Sequence, residues 1–160
     1  MHLLSIIGII LLFFFLTEIS AWVNHKYVMH GFMWYFHSDH HKKDHDSNFE
    51  RNDIFFLTYA IPCWLCIMFG MINNYAWYTW AGFGIALYGA AYFFVHDIII
   101  HQRFKVFTKS NNLYVLALRR AHKMHHKHLG KEDGECFGML FIHPKYFTEA
   151  RKLKAAQQKA

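Results

Sequence analysis

Three long apolar runs constrain this chain more than anything else in it. Residues 3–23 read LLSIIGIILLFFFLTEISAWV, residues 54–71 read IFFLTYAIPCWLCIMFGM, and residues 75–95 read YAWYTWAGFGIALYGAAYFFV. Each approaches or exceeds the roughly 18–20 residues that carry a helix across a bilayer core. The second and third runs are separated only by Ile72, Asn73 and Asn74, a turn signal that predicts a tight hairpin. Tyr75, Trp77, Tyr78 and Trp80 near that turn suit a headgroup-level aromatic belt. The first run lacks a basic start, is long for a signal-peptide core and meets no small-residue cleavage site before His25. It therefore reads as a retained anchor helix.

The charges follow the same division. All 17 Lys and Arg residues fall within 24–53 and 96–160, and none within 1–23 or 54–95. Two crossings separate the basic blocks, so both can face one side, which the positive-inside rule makes the cytoplasm. The formal charge of +6 thus reflects topology and contact with anionic lipid headgroups. A nucleic-acid footprint would need a basic recognition helix or an RNA-type aromatic motif, and the sequence has neither. The expected architecture is an all-α integral membrane protein of the cell (inner) membrane. It has three to four membrane-embedded helices under a cytoplasmic histidine-rich helical cap. One domain spans 1–160, with membrane helices near 3–23, 54–71 and 75–95 and cytoplasmic histidine-bearing blocks at 24–53 and 96–145. Asn111–His128 reads as a helix with Leu113, Leu116, Ala117 and Met124 on or near one face. Residues 129–136 read as a polar loop, and 149–160 as a surface helix or frayed tail. Cys63, Cys66 and Cys136 carry no disulfide framework, and the C-x-x-C lies inside an apolar run as small buried residues.

The histidines form a duplicated pattern. His25 and His30 are spaced H-x4-H, and His37, His40 and His41 H-x2-HH. His96 and His101 repeat the first spacing, and His122, His125 and His126 the second, making ten residues in all. On an α-helix, positions i, i+3 and i+4 share a face, so each H-x2-HH can converge on one point. Positions i and i+5 lie about 140° apart on an ideal helix, so H-x4-H predicts a distortion or a helix end. Imidazole is a good ligand for iron, zinc and copper, and ten nitrogens suit two ions with about four to five ligands each. His2 and His143 stand alone, and His128 points away from the metal face at i+6 from His122. His45 is i+4 from His41, although Gly130 holds the equivalent place in the second half.

Four further polar residues are candidates for supporting the imidazoles. Glu18 lies inside the first apolar run, seven residues before His25; a hydrogen bond to a ligating imidazole or snorkelling to the surface would each account for it. Asp97 adjoins His96. Asn52 and Asp53 precede the second run, where they can either cap the helix or contact a histidine.

The motifs HKYVMHG (25–31), HSDHH (37–41), ERND (50–53), HDIIIHQRF (96–104) and AHKMHH (121–126) closely resemble the bacterial β-carotene hydroxylases. These are membrane di-iron enzymes of the fatty acid hydroxylase superfamily. The histidine boxes identify the superfamily, while MHG, ND, HQR and FGML point to the carotenoid branch. The resemblance spans roughly residues 20 to 142. It implies hydroxylation of β-ionone rings at carbon 3, giving β-cryptoxanthin and then zeaxanthin. It also implies two iron ions held by the ten histidines, O2, and electrons from a ferredoxin-type donor. The segment HKHLGKEDGECFG after the last box departs from the family pattern in its charge and its extra His128.

Chemistry agrees with that implication. Hydroxylating an unactivated ring carbon needs an oxidant no side chain supplies; iron can reach it and zinc has no redox chemistry, though zinc can occupy an imidazole site in a purified sample. A carotenoid would enter from the bilayer, past aromatics such as Phe32, Trp34, Tyr35, Phe36, Tyr92, Phe93 and Phe94. The nearest alternative is a fatty acyl or sterol hydroxylase of the same superfamily. A different class is a non-enzymatic membrane metal-binding protein or metal transporter; transport ligands would lie at mid-membrane, and a bis-histidine haem protein would need facing histidines there. The apolar runs hold no histidine.

Overall fold

The computed structural model describes residues 1–42, 47, 49–106 and 108–157, and every regular element among them is helical. In chain order these are α1 (Leu3–Val23), a π-helical segment (Asn24–Phe32), α2 (Trp34–His41), a 3₁₀ turn (Arg51–Phe55), α3 (Phe56–Ile72), α4 (Trp77–Tyr92), a second π-helical segment (Phe93–Ile100), α5 (Leu113–Lys127) and α6 (Lys145–Gln157). Three continuous helical spans among the described residues are long and apolar enough to cross a membrane: Leu3–Phe32, Arg51–Ile72 and Trp77–Ile100. Their side chains are largely exposed, with Leu4 at 83% and Phe56 at 68%, as lipid-facing surface should be. This is an integral membrane protein with the all-α class expected. Leu3–Phe32 and Trp77–Ile100 outrun their apolar runs because helical hydrogen bonding continues into the H-x4-H boxes, and Arg51–Ile72 begins early with the 3₁₀ turn.

The chain forms two compact units, each drawn from separated segments. The first comprises Met1–Ala21 and Tyr35–Tyr92. Here α3 and α4 form the expected hairpin, closed by Asn74 and Tyr75 in left-handed conformation (φ 54° and 56°). Small residues let the helices approach: a Cβ on Gly70 would stand 2.1 Å from Thr79 Oγ1, and one on Gly82 would stand 2.7 Å from Ile67. Gly84 makes the same allowance for α1, where Ile10 O would lie 2.5 Å from an added Cβ. Cys63 Sγ donates to Gly82 O at 3.3 Å within this packing, the inert role its apolar setting suggested.

The second unit comprises Trp22–Trp34 and Phe93–Ala160. Its core is the α5–α6 contact, where Ala117, Ala121, Tyr146 and Ala150 are buried against Leu113, Leu116 and Met124. Asn112 caps α5, its Oδ1 accepting from Tyr114 N at 2.9 Å and Val115 N at 3.3 Å. The terminal segment is a helix starting at Lys145, four residues before the charged tail was expected to begin.

Candidate metal centre

His25 and His30 lie within one π-helical segment, and His96 lies in the other with His101 directly after its end, which answers their awkward spacing. Bonding from i to i+5 places residues five apart one above the other. In the second box the alignment is direct, since His101 N donates to His96 O at 2.8 Å. In the first box Met33 N donates to Val28 O at 3.0 Å, and the helix breaks at Gly31 (φ −107°, ψ −125°).

In the second unit the histidines gather in two groups. His25, His30 and His125 bring nitrogens within 4.8 Å of one another, and so do His101, His122 and His126. His30 Nε2 stands 3.3 Å from His125 Nε2. His122 Nε2 lies 2.8 Å from both His101 Nε2 and His126 Nε2. His96 is buried beside the latter group, its ring 4.4 Å from His101 and 5.0 Å from His122. In the first unit, α2 turns His37, His40 and His41 to one face, with His37 Nε2 3.1 Å from His41 Nε2. His45 lies outside the described residues, and His128 is the C-cap of α5, outside these groups.

The other nitrogen of five rings is already committed. His25 Nδ1–H donates to Phe137 O (2.9 Å), His30 to Leu129 O (2.9 Å) and His125 to Glu135 O (3.0 Å). His37 donates to Asn52 Oδ1 (2.6 Å) and His40 to Glu50 Oε2 (2.8 Å). These bonds fix one tautomer in each ring and leave Nε2 as a lone pair. His30 and His125 then face each other lone pair to lone pair, an arrangement that repels unless a cation lies between them. A first-row ion binds imidazole at about 2.0–2.1 Å, so two ligands on one ion stand roughly 2.8–3.4 Å apart at right-angled to tetrahedral geometry. The observed 2.8–3.3 Å separations match that shell. Burial first, then the neighbouring imidazoles of His96, His101, His126 and His125, hold His122 well below its ordinary 6.5 and therefore neutral, the ligating form. The residues fit a metal.

The candidate supporting residues separate. Asn52 contacts His37 and is not the helix cap; that place belongs to Glu50, whose N–H donates to Asp53 Oδ2 at 3.0 Å. Asp97 Oδ1 accepts from Arg103 Nε at 3.1 Å and lies 3.5 Å from His96 Nδ1. Glu18 is buried and accepts from Tyr88 O–H at 2.7 Å, so it does not snorkel. Sequence reasoning passed over Glu50, although ERND had drawn attention to its segment. It also passed over Asp39, whose Oδ2 accepts from Arg51 N at 2.6 Å. Burial pushes the Asp39 carboxyl up, but the Arg51 backbone, guanidinium and charge outweigh it and hold the group below its ordinary 3.8. The largest omission is the loop after α5, read as polar and as a departure from the family pattern but given no part in the site. It supplies three carbonyls to one histidine group, and Cys136 at φ 60° lies between two of them.

The family model for fatty acid hydroxylases matches residues 10–147. The chain belongs to the fatty acid hydroxylase family. Within that family it is similar to a β-carotene hydroxylase of Pantoea ananas, at 37% identity over 79% of this chain and 71% of the relative. It is 31% identical to a β-carotene hydroxylase of Paracoccus sp. (strain PC1), over 79% of this chain and 78% of that one. A chloroplastic β-carotene 3-hydroxylase of Arabidopsis thaliana is 36% identical over 78% of this chain and 41% of its own length. No solved structure matches the chain significantly. Membership in a family of hydroxylases makes the chain an oxidoreductase, and its histidine groups fit a metal-dependent one.

Proposed function

We propose that this chain hydroxylates carbon 3 of carotenoid β-ionone rings, converting β-carotene to β-cryptoxanthin and then zeaxanthin. Its ten boxed histidines, His25, His30, His37, His40, His41, His96, His101, His122, His125 and His126, hold two iron ions. The whole chain acts as one hydroxylase domain in the cell inner membrane, with the histidine blocks facing the cytoplasm. One atom of O2 enters the C–H bond; the other leaves as water with two protons and two electrons from a ferredoxin-type donor. Bound iron supplies the oxidising chemistry that no side chain holds. The chain's own residues orient and exclude. Glu50, Asn52 and the carbonyls of Leu129, Glu135 and Phe137 aim the imidazoles, and burial of His37 and His125 keeps water from them. The apolar spans offer a lipid-dissolved substrate a route from the bilayer.

The observation that carries this reading is the 37% identity to a β-carotene hydroxylase across four-fifths of the chain, together with the converging Nε2 atoms. The test is pigment analysis of β-carotene-producing bacteria expressing the chain beside His125→Ala. Zeaxanthin or β-cryptoxanthin should appear with the intact chain alone. Untouched β-carotene from well-expressed, iron-loaded protein with a working donor would discard the carotenoid substrate and turn the search to fatty acyl and sterol lipids.

A further inference from the structure

Asp39 stands between His37 and His40 on α2, and its side chain is fully buried. A buried carboxylate is costly unless it is hydrogen-bonded. Here its Oδ2 accepts from the backbone N–H of Arg51 at 2.6 Å and from Arg51 Nε at 3.4 Å, and the Asn52 backbone N–H is a further donor. These N–H groups open the Arg51–Phe55 turn, where a helical turn leaves its own first donors unsatisfied. Arg51 is held from its other face, its guanidinium 4.4 Å above the Tyr35 ring.

The segment tethered in this way carries two of the acceptors that aim histidines. Glu50 Oε2 receives His40 Nδ1–H, and Asn52 Oδ1 receives His37 Nδ1–H. Both histidines and Asp39 leave the same helical stretch. One carboxylate therefore fixes the register of the segment against α2. A slip by one residue would set the Arg51 side chain where Asn52 now meets His37.

We propose that Asp39 is a positioning residue: by anchoring residues 50–52 to α2 it holds His37 and His40 as Nδ1–H tautomers, with Nε2 left for a metal. The purpose of that arrangement rests on the metal reading above, while the geometry does not.

The test compares imidazole ¹⁵N spectra of the metal-free chain in micelles with those of Asp39→Asn. The wild type should show Nδ1–H tautomers at His37 and His40, and in the variant the Nε2–H form should become the major one for at least one ring. Unchanged tautomers in a folded variant would overturn the proposal. Iron(II) titration of the same two samples should show about 10–100-fold weaker binding by Asp39→Asn, the usual effect of losing an outer partner. If the wild type itself binds no iron, the metal reading falls while the tautomer comparison still decides the role of Asp39. Should Asp39→Asn not fold, amide exchange in the wild type decides instead. Protection of the Arg51 and Asn52 N–H groups supports the tether, and exchange at free-loop rates refutes it.

Discussion

His30 and His125 point their Nε2 atoms at each other across 3.3 Å, while the Nδ1 of each donates to a backbone carbonyl. Both facing nitrogens are therefore acceptors, a pairing that a bound cation satisfies. Metal should stabilise this protein by mass action, about 2.7 kcal/mol at a hundredfold excess over the dissociation constant. Thermal melting of metal-free protein in detergent should rise on adding iron(II) or zinc(II), and the rise should shrink in His30→Ala. A melting curve indifferent to metal in the wild type would contradict the arrangement.

Cys136 joins the two carbonyls that receive His125 and His25, and it does so at φ 60°. Left-handed backbone costs a side-chain-bearing residue about 1–2 kcal/mol, and glycine adopts it freely. Cys136→Gly should keep metal content and be neutral to about 1 kcal/mol stabilising. Cys136→Val should lose about 1–3 kcal/mol and part of the metal. Metal analysis and melting of the two variants side by side check this, and equal behaviour would show that the conformation is not what aims the carbonyls.

Gly70 and Gly8 are both glycines of membrane helices with opposite surroundings. An added Cβ meets Thr79 Oγ1 at 2.1 Å from Gly70 and meets nothing within 4 Å from Gly8. Gly70→Ala should cost about 1–3 kcal/mol through overpacking, whereas Gly8→Ala should be tolerated. The yield of folded protein and its melting temperature measure the difference.

Lys145 holds the Glu135 carboxyl below its ordinary 4.5, and Glu135 in turn raises Lys145 above 10.5. A depressed carboxyl contributes stability above its unfolded pKa and loses it as pH falls through the folded value; a raised amine contributes below its unfolded pKa and loses it as pH climbs through the folded one. The pair thus steadies the acceptor loop between those limits. Glu135→Gln should melt lower than wild type at pH 7, and the gap should close as the pH drops below 4.5. A gap independent of pH would assign the loss to packing instead.

Much of this was legible in the residues. Membrane helices declare themselves because apolar side chains in lipid need no partner, so composition and length suffice to find them. The duplicated histidine pattern was visible as a repeat, and the shared face of each H-x2-HH followed from α-helical spacing. The H-x4-H boxes were located and their distortion anticipated, but not its form. A π-helix costs hydrogen-bond geometry that only surrounding packing sustains, so local preference does not announce it. Asn52 was weighed between a cap and a histidine partner. Glu50 takes the cap instead, in a reciprocal arrangement in which its own N–H donates to Asp53 Oδ2, while Asn52 is left to meet His37.

The chain's own order of residues determines which groups can bind a metal and which stretches lie in lipid, since ligand type and hydrophobicity belong to each side chain. The tertiary structure alone decides which nitrogen of each ring is presented. Three of the five observed Nδ1 acceptors are peptide carbonyls, of Leu129, Glu135 and Phe137, and any residue type could have supplied them. Their effect comes from where the backbone turns, a property of packing that no residue name carries.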